Sequence, residues 1–273
     1  MSRNRRCYHD GAILPAYGLR AVGNASGDNA IGIAVDRVYN RYIKKDLRED
    51  TMSFISVFDV LGPNMIGPSS SHTAGAAVIA YLARKMINGR ITEVDFTLYG
   101  SFAKTYQGHG TDRALVGGIM GFRTEDVRIR DSFRIAEEQG LQVRFHTDEN
   151  EHDVHPNTVD VTMRGESGQE MSVRGESLGG GKVRITRINQ VEVDFSGEYS
   201  AVIVVHQDMR GVAAHITKCL SDSRVNIAFM RLFREKKGHT AYTIVEVDGA
   251  VPAGVADKLR ENEHVRDVMI VQL

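Results

Sequence analysis

Residues 67–98 read GPSSSHTAGAAVIAYLARKMINGRITEVDFTL, a segment in which a helical repeat of apolar residues gives way to a strand repeat. The spacing predicts a helix over residues 74–87 that ends before Gly89, because glycine is common just past a helix end. Residues 94–98 then alternate between apolar and polar side chains, which is typical of a half-buried strand. One face of the helix is expected to carry Val78, Tyr81, Leu82 and Met86.

The mixed pattern continues on both sides of this segment, from Met52 to about residue 197. Helices are predicted near residues 54–61, 112–120 and 132–139. Strands are predicted at residues 141–145, 158–164, 170–174 and 182–195. A tight turn at Ser167-Gly168 is expected to join the second and third of these strands. We therefore expect residues 52–197 to form a mixed α/β domain.

The last 74 residues, 200–273, have a pattern of their own. An apolar strand at the start is followed by a helix, two strands, a second helix and a final strand. The order β-α-β-β-α-β in a segment this short predicts a ferredoxin-like module. The expected fold class is therefore α+β, an α/β domain followed by a ferredoxin-like βαββαβ domain.

Composition excludes several classes of protein. The 273 residues carry a formal net charge of −1, without the basic excess of a nucleic-acid-binding protein. No apolar run approaches the roughly 18 residues of a membrane span. Cys7 and Cys219 are the two cysteines, too few for a disulfide framework, so cytoplasmic residence is expected. Residues 1–51, with nine Arg or Lys and six Asp or Glu, lack a sustained repeat and are expected to be a poorly ordered N-terminal extension.

The first candidate site is the motif GPSSSHTAG at residues 67–75. A helix N-terminus presents unpaired N–H groups and a partial positive charge, which favour anions. The three hydroxyls of Ser69, Ser70 and Ser71 add donors there, and His72 adds a side chain that titrates near neutral pH. The alternative interpretation is an ordinary Ser/Thr helix cap beside a solvated histidine.

The second candidate site is the segment 99–112, YGSFAKTYQGHGTD, which follows the predicted strand. Lys104 could neutralise a carboxylate, the glycines around His109 allow a close approach of the backbone to a ligand, and Thr111 could cap the next helix. A glycine-rich connector without a ligand is an equally good interpretation. Ser101-x-x-Lys104 matches a nucleophile motif of penicillin-binding enzymes, but the companion motifs are absent and we reject the match.

Other polar loops are weaker candidates. His152 and His155 have a spacing seen in metal sites, but Pro156 prevents the helix that would align them, so a substrate-contacting or capping loop is favoured over zinc. In the terminal module, Asp208 and Gly211 follow the first strand and Asn226 begins the next one. These three residues are candidate regulatory ligands, or simple turn residues.

Four motifs together give the chain a family resemblance from about residue 52 to the C-terminus. GPSSSHTAG at 67–75, LYGSFAKTYQGHGTD at 98–112, HPNT at 155–158 and LGGGK at 178–182 resemble the β chain of bacterial iron–sulfur-dependent L-serine dehydratase. Residues 200–273 resemble an ACT domain, a small regulatory unit that often binds amino acids. Residues 53–197 are similar in expected fold to the allosteric substrate-binding domain of some phosphoglycerate dehydrogenases.

The resemblance implies the conversion of L-serine to pyruvate and ammonia by an enzyme whose Lewis acid is a [4Fe–4S] cluster. In this family a separate α chain can carry the cluster cysteines, and two cysteines cannot hold such a cluster in the usual way. The resemblance therefore implies a cluster-bearing α chain as partner, no metal ligands in this chain, and self-association through the ACT domain. It implies His72 as the catalytic residue and a set of substrate ligands: Ser69, Ser70, Ser71, Thr73, Lys104, His109 and Thr111.

Two rival functions remain open on the sequence. One is a non-catalytic regulatory subunit that senses an amino acid and modulates a partner, because a shared domain fold does not decide function. The other is a metal hydrolase that uses His72, His109 and His155, which is weaker because their spacing does not define a ligand set.

Overall fold

The computed structural model of the protein describes residues 64–151 and 153–272. The N-terminal extension, the helix predicted at residues 54–61 and His152 lie outside the described residues. Within them the mixed α+β fold followed by a βαββαβ module is confirmed. No helix in this part of the chain is both long and apolar enough to cross a membrane.

The first sheet has six strands in the order β2-β1-β3-β4-β5-β6. They are β1 (Ile91–Tyr99), β2 (Gln142–Asp148), β3 (Thr158–Gly165), β4 (Glu170–Gly179), β5 (Lys182–Ile188) and β6 (Val191–Phe195). β1 pairs in parallel with β2 and antiparallel with β3, and β3 to β6 form an antiparallel meander. The alternation predicted for β1 is confirmed, since Val94, Phe96 and Leu98 are fully buried.

In the described part of the chain, four helices accompany this sheet: α1 (Ala76–Lys85), α2 (Gly100–Thr105), α3 (Thr111–Ile119) and α4 (Ser132–Glu138). A π-helical turn, Ser70–Gly75, precedes α1, and a 3₁₀ turn, Val127–Asp131, precedes α4. The predicted face of α1 is only partly right. Leu82 and Met86 are buried, but Val78 and Tyr81 are half-exposed, because small residues such as Ala76 and Ala80 let the core contact the helix on other sides.

The single strand predicted at residues 182–195 is wrong, because the structure divides it into β5 and β6. The chain reverses at Asn189, whose φ is +52°. The side chain of Asn189 supports the turn, since its Oδ1 accepts a hydrogen bond from Ser172 N–H at 3.0 Å. Its Nδ2 donates to the Tyr242 hydroxyl at 3.0 Å. Asparagine tolerates positive φ better than most residues, so it can form this turn. The spacing of apolar residues did not predict the turn.

The second sheet has the order β10-β7-β9-β8. The terminal module contains this sheet and two helices, in the order that was predicted. Along the chain they are β7 (Ser200–Gln207), α5 (Val212–Asp222), β8 (Ile227–Arg234), β9 (Thr240–Val247), α6 (Val255–Arg260) and β10 (Val265–Val271). One face packs on α5 and α6. The other face places Ile203, Ile244 and Met269 in the same core as the first sheet and α1.

Candidate active site

The motif SSSHTAG forms the π-helical turn at the start of α1. Ser69 is its N-cap, and its Oγ accepts a hydrogen bond from His72 N–H at 3.1 Å. The Ser69 carbonyl accepts from the N–H groups of both Thr73 and Ala74, at 2.9 and 3.2 Å. The wider π turn rotates the residues after Ser69 relative to an α-helical path, and such turns are frequent at functional sites.

Strand β4 packs against this turn and forms a hydrogen bond to it. The Ser177 hydroxyl donates a hydrogen bond to the Ser71 carbonyl at 2.8 Å, and Ser177 is fully buried. Gly75 makes this approach possible, because a Cβ added there would lie 1.9 Å from Ser177 Oγ. A glycine is therefore required at position 75 by packing, whereas its φ of −59° is ordinary.

His72 is held by hydroxyl groups on both ring nitrogens. Ser71 Oγ lies 3.1 Å from Nδ1, with Ser69 Oγ farther away at 3.5 Å. Ser101 Oγ lies 2.9 Å from Nε2. The ring also contacts Phe102 and His109 edge to face, with centroids 5.4 and 4.8 Å away. The imidazole is therefore fixed in place and not simply solvated.

The electrostatic surroundings keep His72 in its neutral form. Burial lowers the pKa of His72 below its ordinary value of 6.5, and the charge that neighbouring His109 can carry lowers this pKa further. A neutral imidazole has a free lone pair on one nitrogen, which is what a general base needs. At neutral pH His72 is therefore poised to accept a proton.

Ser101 reaches His72 because the chain turns sharply at the end of β1. Gly100 has a φ of +52°, and a Cβ there would lie 2.7 Å from the Pro156 carbonyl oxygen. That carbonyl accepts a hydrogen bond from Ser101 N–H at 2.7 Å. Neither α2 nor a contact from Ser101 to His72 was predicted from the sequence. The available signal was a Gly-Ser pair directly after a buried strand.

The remaining predicted residues divide into exposed and buried groups. Lys104 and His109 are exposed, and Ser70 Oγ makes no hydrogen bond to any residue in the described ranges. Thr73 is buried and its hydroxyl donates to the His109 carbonyl at 3.0 Å, which ties the second segment to the π turn. The prediction that Thr111 caps α3 is wrong, because Gly110 is the N-cap. Thr111 is fully buried in the first turn, and its hydroxyl has no partner among the described residues.

The HPNT segment, residues 155–158, is a capping loop before β3. His155 Nδ1 accepts a hydrogen bond from Asn157 N–H at 3.2 Å, and the His155 carbonyl accepts from the Thr158 hydroxyl at 2.6 Å. Asn157, which the sequence analysis did not single out, also exchanges backbone and side-chain hydrogen bonds with Ser177. The loop thus connects Ser101 to the strand that holds the π turn.

The described residues do not suit an iron–sulfur cluster. They contain no group of three or more His, Cys, Asp or Glu side chains placed to hold a metal ion. Cys219 is buried in the terminal module, with its Sγ 3.5 Å from His215 Nε2, and Cys7 lies outside the described residues. The three-histidine set of the hydrolase hypothesis is likewise not assembled in residues 64–151 and 153–272.

The candidate regulatory residues lie at two ends of the second sheet. Asp208 follows β7, and its carboxylate accepts hydrogen bonds from Gly238 N–H at 2.9 Å and from Arg234 at 3.2 Å. Asn226 precedes β8 and donates to Asp248 at 2.6 Å. The strand register places Asn226 near the start of β7, roughly 25 Å from its end. One copy of the module therefore does not bring Asp208 and Asn226 together.

Known proteins similar to this chain belong to the families that its motifs resemble. A family model described as "Serine dehydratase beta chain" matches residues 56–190, and one described as "ACT domain" matches residues 200–264. The chain is 41% identical over 217 residues to the "Probable L-serine dehydratase, beta chain" of Bacillus subtilis, which covers 80% of this chain and 98% of the relative.

Two further relatives are similar. The "L-serine dehydratase, beta chain" of Peptoniphilus asaccharolyticus is 42% identical over 197 residues, which covers 72% of this chain and 89% of the relative. The "D-3-phosphoglycerate dehydrogenase" of Methanocaldococcus jannaschii is 22% identical over 244 residues, which covers 88% of this chain and 45% of the relative.

Proposed function

Because the chain belongs to the serine dehydratase beta chain family, we propose that it is the β subunit of a cytoplasmic L-serine dehydratase. The reaction removes the α-proton and the β-hydroxyl group of L-serine, so that water leaves and an aminoacrylate forms. The aminoacrylate tautomerises to an imine. Hydrolysis of the imine consumes one water and yields pyruvate and ammonia. Removal of the α-proton requires a base, and this chain offers one.

The observation that carries the proposal is the environment of His72. Its ring is half-buried and is held by Ser71 and Ser101, and its pKa lies below 6.5. In this proposal neutral His72 takes the α-proton of the substrate and later releases it to solvent. Proton transfer by a positioned side chain contributes roughly 10²–10⁴ to a rate.

The substrate ligands follow from exposure and from hydrogen bonds that are still open. Ser70 lies on the His72 turn, and its hydroxyl bonds to no described residue. The exposed His109 ring is centred 4.8 Å from that of His72, and exposed Lys104 lies on α2 with Ser101, so we assign these three residues to the substrate carboxylate. Ser69 and Ser71 already contact His72 and orient it. Thr73 and Thr111 are buried, and we assign them to the support of the two loops instead of direct contact.

The [4Fe–4S] cluster belongs, in this proposal, to a separate α chain that supplies its cysteine ligands. The support is the chemistry of this chain, whose two cysteines are far apart in sequence and whose described residues offer no metal-ligand group. In a complex of the two chains, the cluster would act beside the His72 turn, where the proposed base lies.

The terminal module is proposed to regulate and to self-associate. β8 is an edge strand, and Phe229 and Leu232 on it are 47% and 43% exposed. An exposed apolar edge strand is a template for pairing with another copy. Asp208 and Gly211 at one end of the sheet, and Asn226 at the other, remain candidates for effector binding.

The test is reconstitution of the chain with its α partner under anaerobic conditions, with pyruvate production from L-serine as the readout. This chain alone is expected to be inactive and free of iron, and the complex to be active. His72→Asn in the complex should lower kcat by roughly 10²–10⁴ with little change in Tm. His146→Asn, on the exposed outer face of the sheet beside Asp95, is the matched control and should leave kcat unchanged.

Three results would contradict parts of the proposal. Deaminase activity of the isolated chain would exclude a division of labour between two chains. A His72→Asn complex with full cluster content and wild-type kcat would remove His72 from the mechanism. A complex that binds L-serine but never forms pyruvate would favour the regulatory-subunit hypothesis.

A further inference from the structure

We propose that Ser101 is the residue that positions His72 for proton transfer, an inference that rests on the proposed function of His72 as the base. Ser101 Oγ lies 2.9 Å from His72 Nε2, which is shorter than the distances of 3.1 and 3.5 Å from Ser71 and Ser69 Oγ to Nδ1. Neither the motif analysis nor the family comparison assigns Ser101 a role.

A single hydrogen bond leaves an imidazole ring free to turn. The second side-chain torsion of histidine is broad and roughly two-fold, so one contact does not fix which nitrogen faces a substrate. Ser71 and Ser69 lie on the same π turn as His72 and move together with it. Ser101 lies on α2, in a different element, so its bond to Nε2 fixes the ring relative to the sheet.

Both backbone groups of Ser101, its N–H and its carbonyl, form hydrogen bonds. The Pro156 carbonyl accepts its N–H at 2.7 Å, and the Ser101 carbonyl accepts the Thr105 hydroxyl at 2.8 Å. Gly100 packs against Pro156 so closely that no Cβ fits between them. Ser101 therefore has a rigid support in the end of β1 and the HPNT loop.

A hydroxyl group suits this task because it can serve both protonation states of His72. With the neutral ring protonated on Nε2, Ser101 Oγ accepts from Nε2–H while Nδ1 takes the substrate proton, so the bond persists before and after proton transfer. Hydrogen bonds to a charged partner are the stronger ones, so Ser101 favours the protonated form in a site where burial and His109 oppose it. Loss of the hydroxyl should therefore lower the pKa of His72 further.

The experiment has two arms. In the reconstituted complex, Ser101→Ala is expected to lower kcat about 10- to 100-fold with KM within about twofold, since misplacement of a catalytic group by 1 Å can cost about 10². Ser101→Thr retains the hydroxyl and should recover most of the lost kcat. In this chain alone, an NMR titration of His72 should give a lower pKa for Ser101→Ala than for the wild type.

The control is Thr217→Val on α5, which removes a hydroxyl that likewise donates to a carbonyl of its own helix, that of Ala213 at 3.1 Å, and should change neither kcat nor the titration. A Ser101→Ala complex with kcat within twofold of wild type, or an unchanged His72 titration, would overturn the inference. An inactive wild-type complex would overturn the proposed function instead, and the titration would still decide whether Ser101 holds the ring.

Discussion

At the residue scale, the two interpretations of the serine motif describe different serines. Ser69 is a helix cap, as the structural interpretation required, and its Oγ accepts the His72 N–H. Ser71 contacts the His72 ring, and Ser70 leaves its hydroxyl open among the described residues. One short run of identical residues can therefore cap a turn, orient an imidazole ring and leave one hydroxyl without a partner among the described residues.

The contact between His72 and His109 predicts how kcat/KM depends on pH. His109 lowers the pKa of His72, so His109→Asn should raise this pKa towards 6.5. Because a base works in its neutral form, a higher pKa moves the acidic limb of the kcat/KM profile to higher pH. NMR titration of His72 in this chain measures the same change without the partner.

The matched control for this pH effect is Lys104→Gln, which removes an exposed cation from the same segment. Lys104 is not among the groups that shift His72, so its loss should leave the titration in place. A His109→Asn variant whose His72 titrates as in the wild type would show that burial alone sets the pKa.

At the scale of elements, the site depends on the contact between the π turn and β4. A Cβ at position 75 would overlap Ser177, so Gly75→Ala should destabilise the chain by about 1–3 kcal/mol, the usual cost of overpacking. Ser177→Gly in the same chain removes the overlapping side chain and should recover part of the loss. Urea unfolding of both single variants and the double variant gives the coupling energy.

Gly108→Ala is the matched glycine control, since the nearest atom to a Cβ there is 3.8 Å away and its φ is not positive. It should change the free energy of unfolding little, or raise it slightly. If the double variant loses the full sum of the two single losses, Ser177 and residue 75 do not interact as described.

At the scale of the whole molecule, the two sheets share one core although the sequence pattern divides near residue 197. Ile203, Ile244 and Met269 from the second sheet lie in the same cluster as Leu82 and Phe96 of the first. Polar contacts cross the same boundary, with Ser196 donating to Glu246 at 3.0 Å and Arg231 donating to Asp194 at 2.8 Å.

A shared core predicts cooperative unfolding. Ile203→Ala, in a side chain that is fully buried, should cost about 2–5 kcal/mol and lower the main thermal transition of the chain. Val127→Ala, in a side chain that is 65% exposed, is the control and should have little effect. If Ile203→Ala instead creates a separate early transition and leaves the main one in place, the terminal module unfolds independently.

The sequence alone determined what depends on local periodicity and on rigid residue types. The alternation in β1, the turn at Ser167-Gly168 and the βαββαβ order are all confirmed, because period and turn residues report which side of a segment is buried. The motif around His72 also predicted the candidate site, where the structure holds the His72 ring between Ser71 and Ser101.

Only the tertiary structure decided how the site is assembled. The bond from Ser101 to His72 joins residues 29 apart, and the bond from Ser177 to Ser71 joins residues 106 apart. The reversal at Asn189 and the buried sides of α1 likewise depend on partners from other elements. Such contacts leave no period in the sequence, because a side chain that meets one distant atom constrains a single position and not a repeat.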